Sequence, residues 1–125
     1  MSYFTDVKDF HVAFGQRVGE KPELPDSNER ALRINLLMEE IAEYSEAELD
    51  DDFVEIADAL ADIIYIACGT AVSYGIPLDE IFNEVHRSNM AKLVDGKVIR
   101  REDGKIQKPE GWTPPDIKSI IESKK

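Results

Sequence analysis

The sequence predicts an all-α fold: an antiparallel helical bundle of about four to five helices, with a short β-hairpin or extended arm near the C-terminus. Three observations carry this. Long segments before residue 93 repeat apolar residues at helical spacing. The links between them are short, which makes consecutive helices antiparallel neighbours. Two Asp-Gly dipeptides, Asp95-Gly96 and Asp103-Gly104, then flank KVIRRE, a stretch with hairpin-turn chemistry and room for a short strand. At 125 residues the expectation is a single domain, 1–125, with one hydrophobic core.

The first helix is expected over Thr5 to Phe14, where Val7, Phe10 and Phe14 share a face and Gly15 suits the C-terminal cap. Gly19 to Pro25 has two prolines and reads as a loop. The second helix is expected from Ser27, an N-cap residue type, to Glu48, with Leu32, Leu36, Leu37, Ile41 and Tyr44 as its apolar face. Asp50, Asp51 and Asp52 form a turn and an acidic start that suits the dipole of a third helix. That helix runs to Tyr74 and stops at Gly75. Pro77 opens a fourth, to about Lys92. Pro114-Pro115-Asp116 opens a short last helix carrying Ile117, Ile120 and Ile121.

Charge is segregated. Residues 34–86 contain 14 acids and no Lys or Arg, while residues 87–125 carry a net +4; the whole chain is −11. This balance argues against a general nucleic-acid or anionic-membrane binder. The single cysteine, Cys68, excludes an internal disulfide framework and a cysteine zinc site, and reads as a core thiol. No uninterrupted apolar run reaches about 18 residues, so no membrane-crossing helix is expected. The N-terminus lacks an apolar signal core, and the cytoplasm is the expected compartment.

The third helix, FVEIADALADIIYIACGTAVSY, is apolar or small almost all round, as buried helices are. Its exceptions, Glu55, Asp58 and Asp62, fall at i, i+3 and i+7 and share one face. The second helix carries Glu39, Glu40 and Glu43 in an E-E-x-x-E pattern. Antiparallel packing lets these two acidic stripes meet. Buried carboxylates without partners are costly, and this region has no basic residue to neutralise them. Four to six carboxylates together call for a cation, and all-oxygen ligation suits Mg²⁺, Mn²⁺ or Ca²⁺. Glu46 and Glu48 read instead as a solvated acidic face. A ferritin-like di-iron bundle would need Glu-x-x-His, and neither His11 nor His86 follows a Glu by three.

Glu39-Glu40-Ile41-Ala42-Glu43 followed by Glu55-Ile56-Ala57-Asp58 resembles the all-α nucleoside triphosphate pyrophosphohydrolases, which include MazG-like proteins, dimeric dUTPases and phosphoribosyl-ATP pyrophosphohydrolases. The stretch Ala59 to Ile66 is similar to the ADLLY-type segment of the last of these. His86 to Leu93 is similar to the segment after the third bundle helix in MazG-like proteins. The likeness covers roughly residues 28–108 and departs in one place: the residue three before Asp62 is Ala59, whereas the literal E-x-x-D pair is Glu55 and Asp58. Asp58 and Asp62 are the preferred ligands, with Glu55 next.

The resemblance implies hydrolysis of a nucleotide, a deoxynucleoside triphosphate by preference, to monophosphate and pyrophosphate. It implies Mg²⁺, with Mn²⁺ as a second fit, at Glu40, Glu43, Asp58, Asp62, Glu39 and Glu55. Glu39 or Glu43 would take the proton of the attacking water. Arg87, Asn89, Lys92 and His86, with Lys105 and Lys108 on the arm, would hold phosphate charge. Phosphoribosyl-ATP is the alternative substrate, and a non-catalytic interaction or regulatory module the alternative role. Apolar surface beyond what one short bundle buries, together with the resemblance, implies a homodimer or homotetramer. His11 is expected to be structural or to edge a cleft, and Trp112 to anchor the arm to the bundle.

Overall fold

The structure, a computed structural model, describes residues 1–125. Its order is α1 (Tyr3–Ala13), α2 (Ser27–Leu49), α3 (Phe53–Tyr74), α4 (Leu78–Met90) and α5 (Ile117–Glu122). It is all-helical, and it divides into two compact units, residues 1–78 and residues 79–124.

In the first unit α3 packs against both α1 and α2. Val7, Cys68 and Val72 form its buried centre, with Phe4, Val18 and Leu78 packed around them. Each helix start is capped by a side chain. Ser2 accepts from the Thr5 N–H at 3.1 Å while the Thr5 hydroxyl accepts from the Ser2 N–H at 2.9 Å, a reciprocal capping box. Asp26, not the expected Ser27, caps α2 by accepting from the Glu29 N–H at 2.9 Å. A carboxylate is an equally good acceptor there and adds favourable charge at the positive end of the helix. Asp52 caps α3 in the same way, through the Glu55 N–H at 3.2 Å. Asp51, at φ 52°, makes the left-handed step between α2 and α3.

The last turn of α3 explains the path of the Gly15–Pro25 segment. Its four terminal carbonyls have no partner within the helix. All four are satisfied from outside: Ala71 O by the Ile76 N–H at 2.9 Å, Val72 O by the Gly19 N–H at 2.9 Å, Ser73 O by Arg17 Nε at 3.0 Å and Tyr74 O by the Glu23 N–H at 3.0 Å. The predicted loop is thus held as the C-terminal cap of the core helix.

In the second unit the arm is pinned to α4. Trp112 Nε1 donates to Ser88 O at 2.7 Å, and the buried Ser88 hydroxyl donates to Thr113 O at 3.2 Å. Glu84 accepts two bonds from Arg87 and, at 2.7 Å, the Asp116 N–H. The Arg87 guanidinium and that N–H hold the Glu84 carboxyl down at about 2. Of the two C-terminal alternatives, the arm is what forms. Asp95 and Gly96 both take positive φ, as a two-residue hairpin turn requires, yet only isolated bridges result, Val94 with Lys97 and Arg100 with Ile106. The segment is exposed on both sides, so no buried face reinforces a ladder. The fourth helix ends at Met90 rather than Lys92, with a turn at Ala91 and Lys92.

By length and composition alone α3 is apolar enough to cross a membrane, with a mean hydropathy of 1.5 over its best 18 residues. The apolar majority outweighs its interrupting acids. One such helix is weak evidence of a membrane span, because the core helix of a bundle meets the same criterion. The apolar face of α2 is only half covered: Leu36, Leu37 and Tyr44 are half-buried, while Leu32, Met38 and Ile41 stay exposed.

Gly75 sits at φ +68°, and a Cβ there would also collide with the Lys21 carbonyl. Gly75→Ala is expected to cost about 1–2 kcal/mol or more from the left-handed backbone and the clash together. Urea unfolding should show a lower midpoint at unchanged slope; an unchanged midpoint would show that the loop gives way without cost.

Candidate active site

The pairing of α2 with α3 converts two sequence stripes into one cluster. Glu40 and Glu43 project from one turn of α2, Asp62 from α3, and a carboxylate oxygen from each lies within 4.8 Å of the others. Glu40 and Asp62 are half-buried and Glu43 is exposed. Glu40 Oε2 is fully buried and has no hydrogen-bond partner. Burial, followed by the charges of Glu43 and Asp62, pushes the Glu40 carboxyl above the usual carboxylate range. Burial, then Asp58 and then Glu43, pushes Asp62 up as well. The ion pairs of the structure join Arg87 to Glu84, Arg101 to Asp103 and Lys124 to Glu80, so none relieves this cluster.

The remaining predicted carboxylates separate. Asp58, exposed and one turn before Asp62, is close enough to act on both raised groups. Glu39 is exposed on α2. Glu55 lies at the far end of the interface, in a depression of about 170 Å³ shared with Glu43, Glu46, Asp50 and Asp52. The predicted phosphate-binding residues all lie in the second unit. Arg87 is engaged by Glu84 at 2.7 and 2.9 Å. Asn89 accepts from Lys92 Nζ at 3.1 Å, and Lys92 and Lys108 sit 5.5 and 4.8 Å from the centre of the Trp112 ring. His86 and Lys105 are exposed.

One feature of the groove was not anticipated as part of a site. A cavity of about 430 Å³ opens between α1, α2 and α3, lined among others by Phe10, His11, Glu29, Arg33, Leu36 and Tyr65. Leu36 precedes Glu40 by four residues, and Arg33 precedes it by seven. Ile66, also in the lining, follows Asp62 by four. The cavity therefore continues the acidic groove along the same helix faces. Arg33 is buried; its Nε donates to Thr70 Oγ1 at 3.0 Å and its Nη2 to Ile66 O at 2.9 Å. Desolvation lowers its pKa, and Glu29 beside it opposes the shift. The sequence signal for Arg33 was its heptad spacing from Glu40 on an otherwise apolar stripe.

The profile of the PRA-PH family, phosphoribosyl-ATP pyrophosphohydrolase, matches residues 7–89. The chain belongs to this family. No curated protein matches it. As a member of that family the chain is a pyrophosphohydrolase, cleaving a phosphoanhydride bond of a nucleotide with water. The family is typically metal-dependent, and the cluster of this pyrophosphohydrolase fits a cation. Its donors are all hard oxygens, its charge has no protein counter-ion, and one buried oxygen lacks any partner.

A carboxyl held above its ordinary pKa keeps its proton longer folded than unfolded. Metal-free pyrophosphohydrolase is therefore expected to lose stability as pH rises above the ordinary values of 3.8 for Asp62 and 4.5 for Glu40. Glu40→Gln and Asp62→Asn should each flatten that slope and raise the metal-free melting temperature at pH 7, measured in EDTA. A cation at a hundred times its Kd should add about 2.7 kcal/mol to the native chain and nothing like it to either variant. Equal metal stabilisation of native chain and variants would remove the cluster as the cation site.

Proposed function

We propose that the protein hydrolyses a nucleoside triphosphate, a deoxynucleoside triphosphate first, to the monophosphate and pyrophosphate, clearing unwanted nucleotides from the pool. The observation that carries this reading is the convergence of Glu40, Glu43 and Asp62 within 4.8 Å around a buried, unpartnered oxygen. Such a site is held together by a cation, and a polyphosphate brings cations with it. The adjoining cavity of about 430 Å³ supplies room for a nucleoside beyond the phosphates.

In this reading Glu40, Glu43 and Asp62 hold Mg²⁺, or Mn²⁺ in its place. Asp58 stands next to them, and in the same reading Glu39 and Glu55 would serve as further carboxylates for the ion. The ion, when bound, neutralises phosphate charge and polarises the phosphorus–oxygen bonds. Water attacks the α-phosphorus, its proton passing to Glu43 or Glu39, and the bond from the α-phosphorus to the α–β bridging oxygen breaks. Pyrophosphate leaves with that oxygen. Arg87, Asn89, Lys92, His86, Lys105 and Lys108 supply donors and positive charge to the phosphates. The whole chain, 1–125, acts as one domain, and the exposed Met38, Ile41, Phe53 and Val54 are covered in a homodimer or homotetramer. The cytoplasm, where nucleotides are made and used, is the proposed compartment. Phosphoribosyl-ATP is the second substrate reading, favoured by the family profile over residues 7–89.

Nucleoside triphosphates and phosphoribosyl-ATP should be incubated with the protein in Mg²⁺, Mn²⁺ or EDTA, and products separated. Monophosphate plus pyrophosphate, lost in EDTA and reduced about a hundredfold or more in Glu43→Ala, is the expected result. Diphosphate plus phosphate would place the attack at the wrong phosphorus. Turnover of phosphoribosyl-ATP alone would move the substrate to the second reading.

A further inference from the structure

The cavity beside the acidic cluster has a floor built for reading a heterocycle. Arg33 is 6% exposed and His11 3%. Arginine offers donors only; two of the five N–H groups of Arg33 are held by Thr70 and Ile66, and Arg33 is one of the residues that line the cavity. His11 Nδ1 lies 2.8 Å from the Arg17 carbonyl oxygen. A carbonyl can only accept, so Nδ1 donates and Nε2 of the neutral ring is left as an acceptor. Arg33 Nη2 and His11 Nε2 stand 2.5 and 3.0 Å from the point where a Cβ on Gly69 would be. The missing side chain at Gly69 is what lets a strong donor and an acceptor lie side by side. The walls are flat or apolar: Phe10 and Tyr65 meet edge to face at 5.6 Å and 84°, with Leu36 beyond.

We propose that Arg33 and His11, brought together over Gly69, make this cavity a specificity pocket for bases that carry a ring N–H beside a carbonyl oxygen, and against adenine. Uracil, thymine, guanine and hypoxanthine present that pair, the carbonyl to Arg33 and the N–H to His11 Nε2. Adenine has no carbonyl. Its amino group facing Arg33 sets donor against donor, and turned away it leaves a buried guanidinium with a weaker acceptor. Stacking against Phe10 and Tyr65 is common to all bases and does not discriminate. The inference rests on the reading that phosphates lie at Glu40, Glu43 and Asp62. It departs from phosphoribosyl-ATP, an adenine derivative, as the preferred substrate.

The test measures two quantities on the native protein. One is Kd for the non-hydrolysable α,β-imido analogues of dUTP, dTTP, dGTP and dATP. The other is kcat/KM for the corresponding triphosphates and for phosphoribosyl-ATP. The carbonyl-bearing bases should exceed the adenine compounds by about tenfold or more in both. Arg33→Lys, checked for helicity, should raise KM for the favoured base more than it lowers kcat and shrink the preference. Gly69→Ala should do the same by displacing both side chains. Adenine compounds within about threefold of the others in Kd and kcat/KM overturn the inference, as does an unaltered preference in folded Arg33→Lys. Selective binding without pyrophosphate release would overturn the proposed reaction and leave the pocket standing. Pyrophosphate release from all bases alike would do the reverse.

Discussion

Mutual repulsion among Glu40, Glu43 and Asp62 is the constraint around which the α2–α3 interface is organised. Three carboxylates within 4.8 Å, two of them half-buried, oppose the packing that brings them together. The fold sustains them because the rest of the interface is apolar and because α3 is anchored on its other side by α1. The raised proton affinity of Glu40 and Asp62 reflects that opposition. A cation bound there would convert the same geometry from a penalty into a binding energy, linking stability and chemistry through one set of atoms.

A second polar system stabilises the opposite half of the groove. Ser73, wholly buried, donates to Glu29 at 2.8 Å, Arg17 reaches the Ser73 carbonyl, and Arg33 spans from Thr70 to the Ile66 carbonyl. These bonds tie α2 and the loop before it to the C-terminal half of α3. Here charge is balanced, Arg33 against Glu29, whereas in the acidic half it is not. One interface therefore has a neutralised end and an anionic end that fits an added cation. A molecule with an uncharged ring at one end and phosphates at the other matches that division.

The helices and the carboxylates were readable in the residues themselves. Periodicity together with capping and breaker residues gives α1 to α4 within about two residues at each end. An acid on an apolar helix is conspicuous because burial without a partner is costly, and this singled out Glu40, Glu43, Asp58 and Asp62. The cap at Asp26 was passed over for Ser27 because neighbouring residues of the same capping type cannot be ranked without the backbone direction. The arm shows the opposite limit. Asp95-Gly96 makes its turn, but a ladder needs a buried face that the local sequence does not supply.

What the sequence determined by itself was the set of elements, the segregation of charge and the kind of chemistry, since helical period and unneutralised carboxylates are local properties of the chain. The tertiary structure alone decided which acids meet. Asp62 joins Glu40 and Glu43, whereas Glu55, on the same stripe, stays outside that trio and lines a neighbouring depression in which only Glu43 of the three takes part. It alone placed Arg33, His11 and Gly69 together, from three helices and across up to 58 positions of chain. Spacing along one helix fixes which residues share a face, but the register between two helices is set by side-chain packing over their whole contact, and no single segment contains that information.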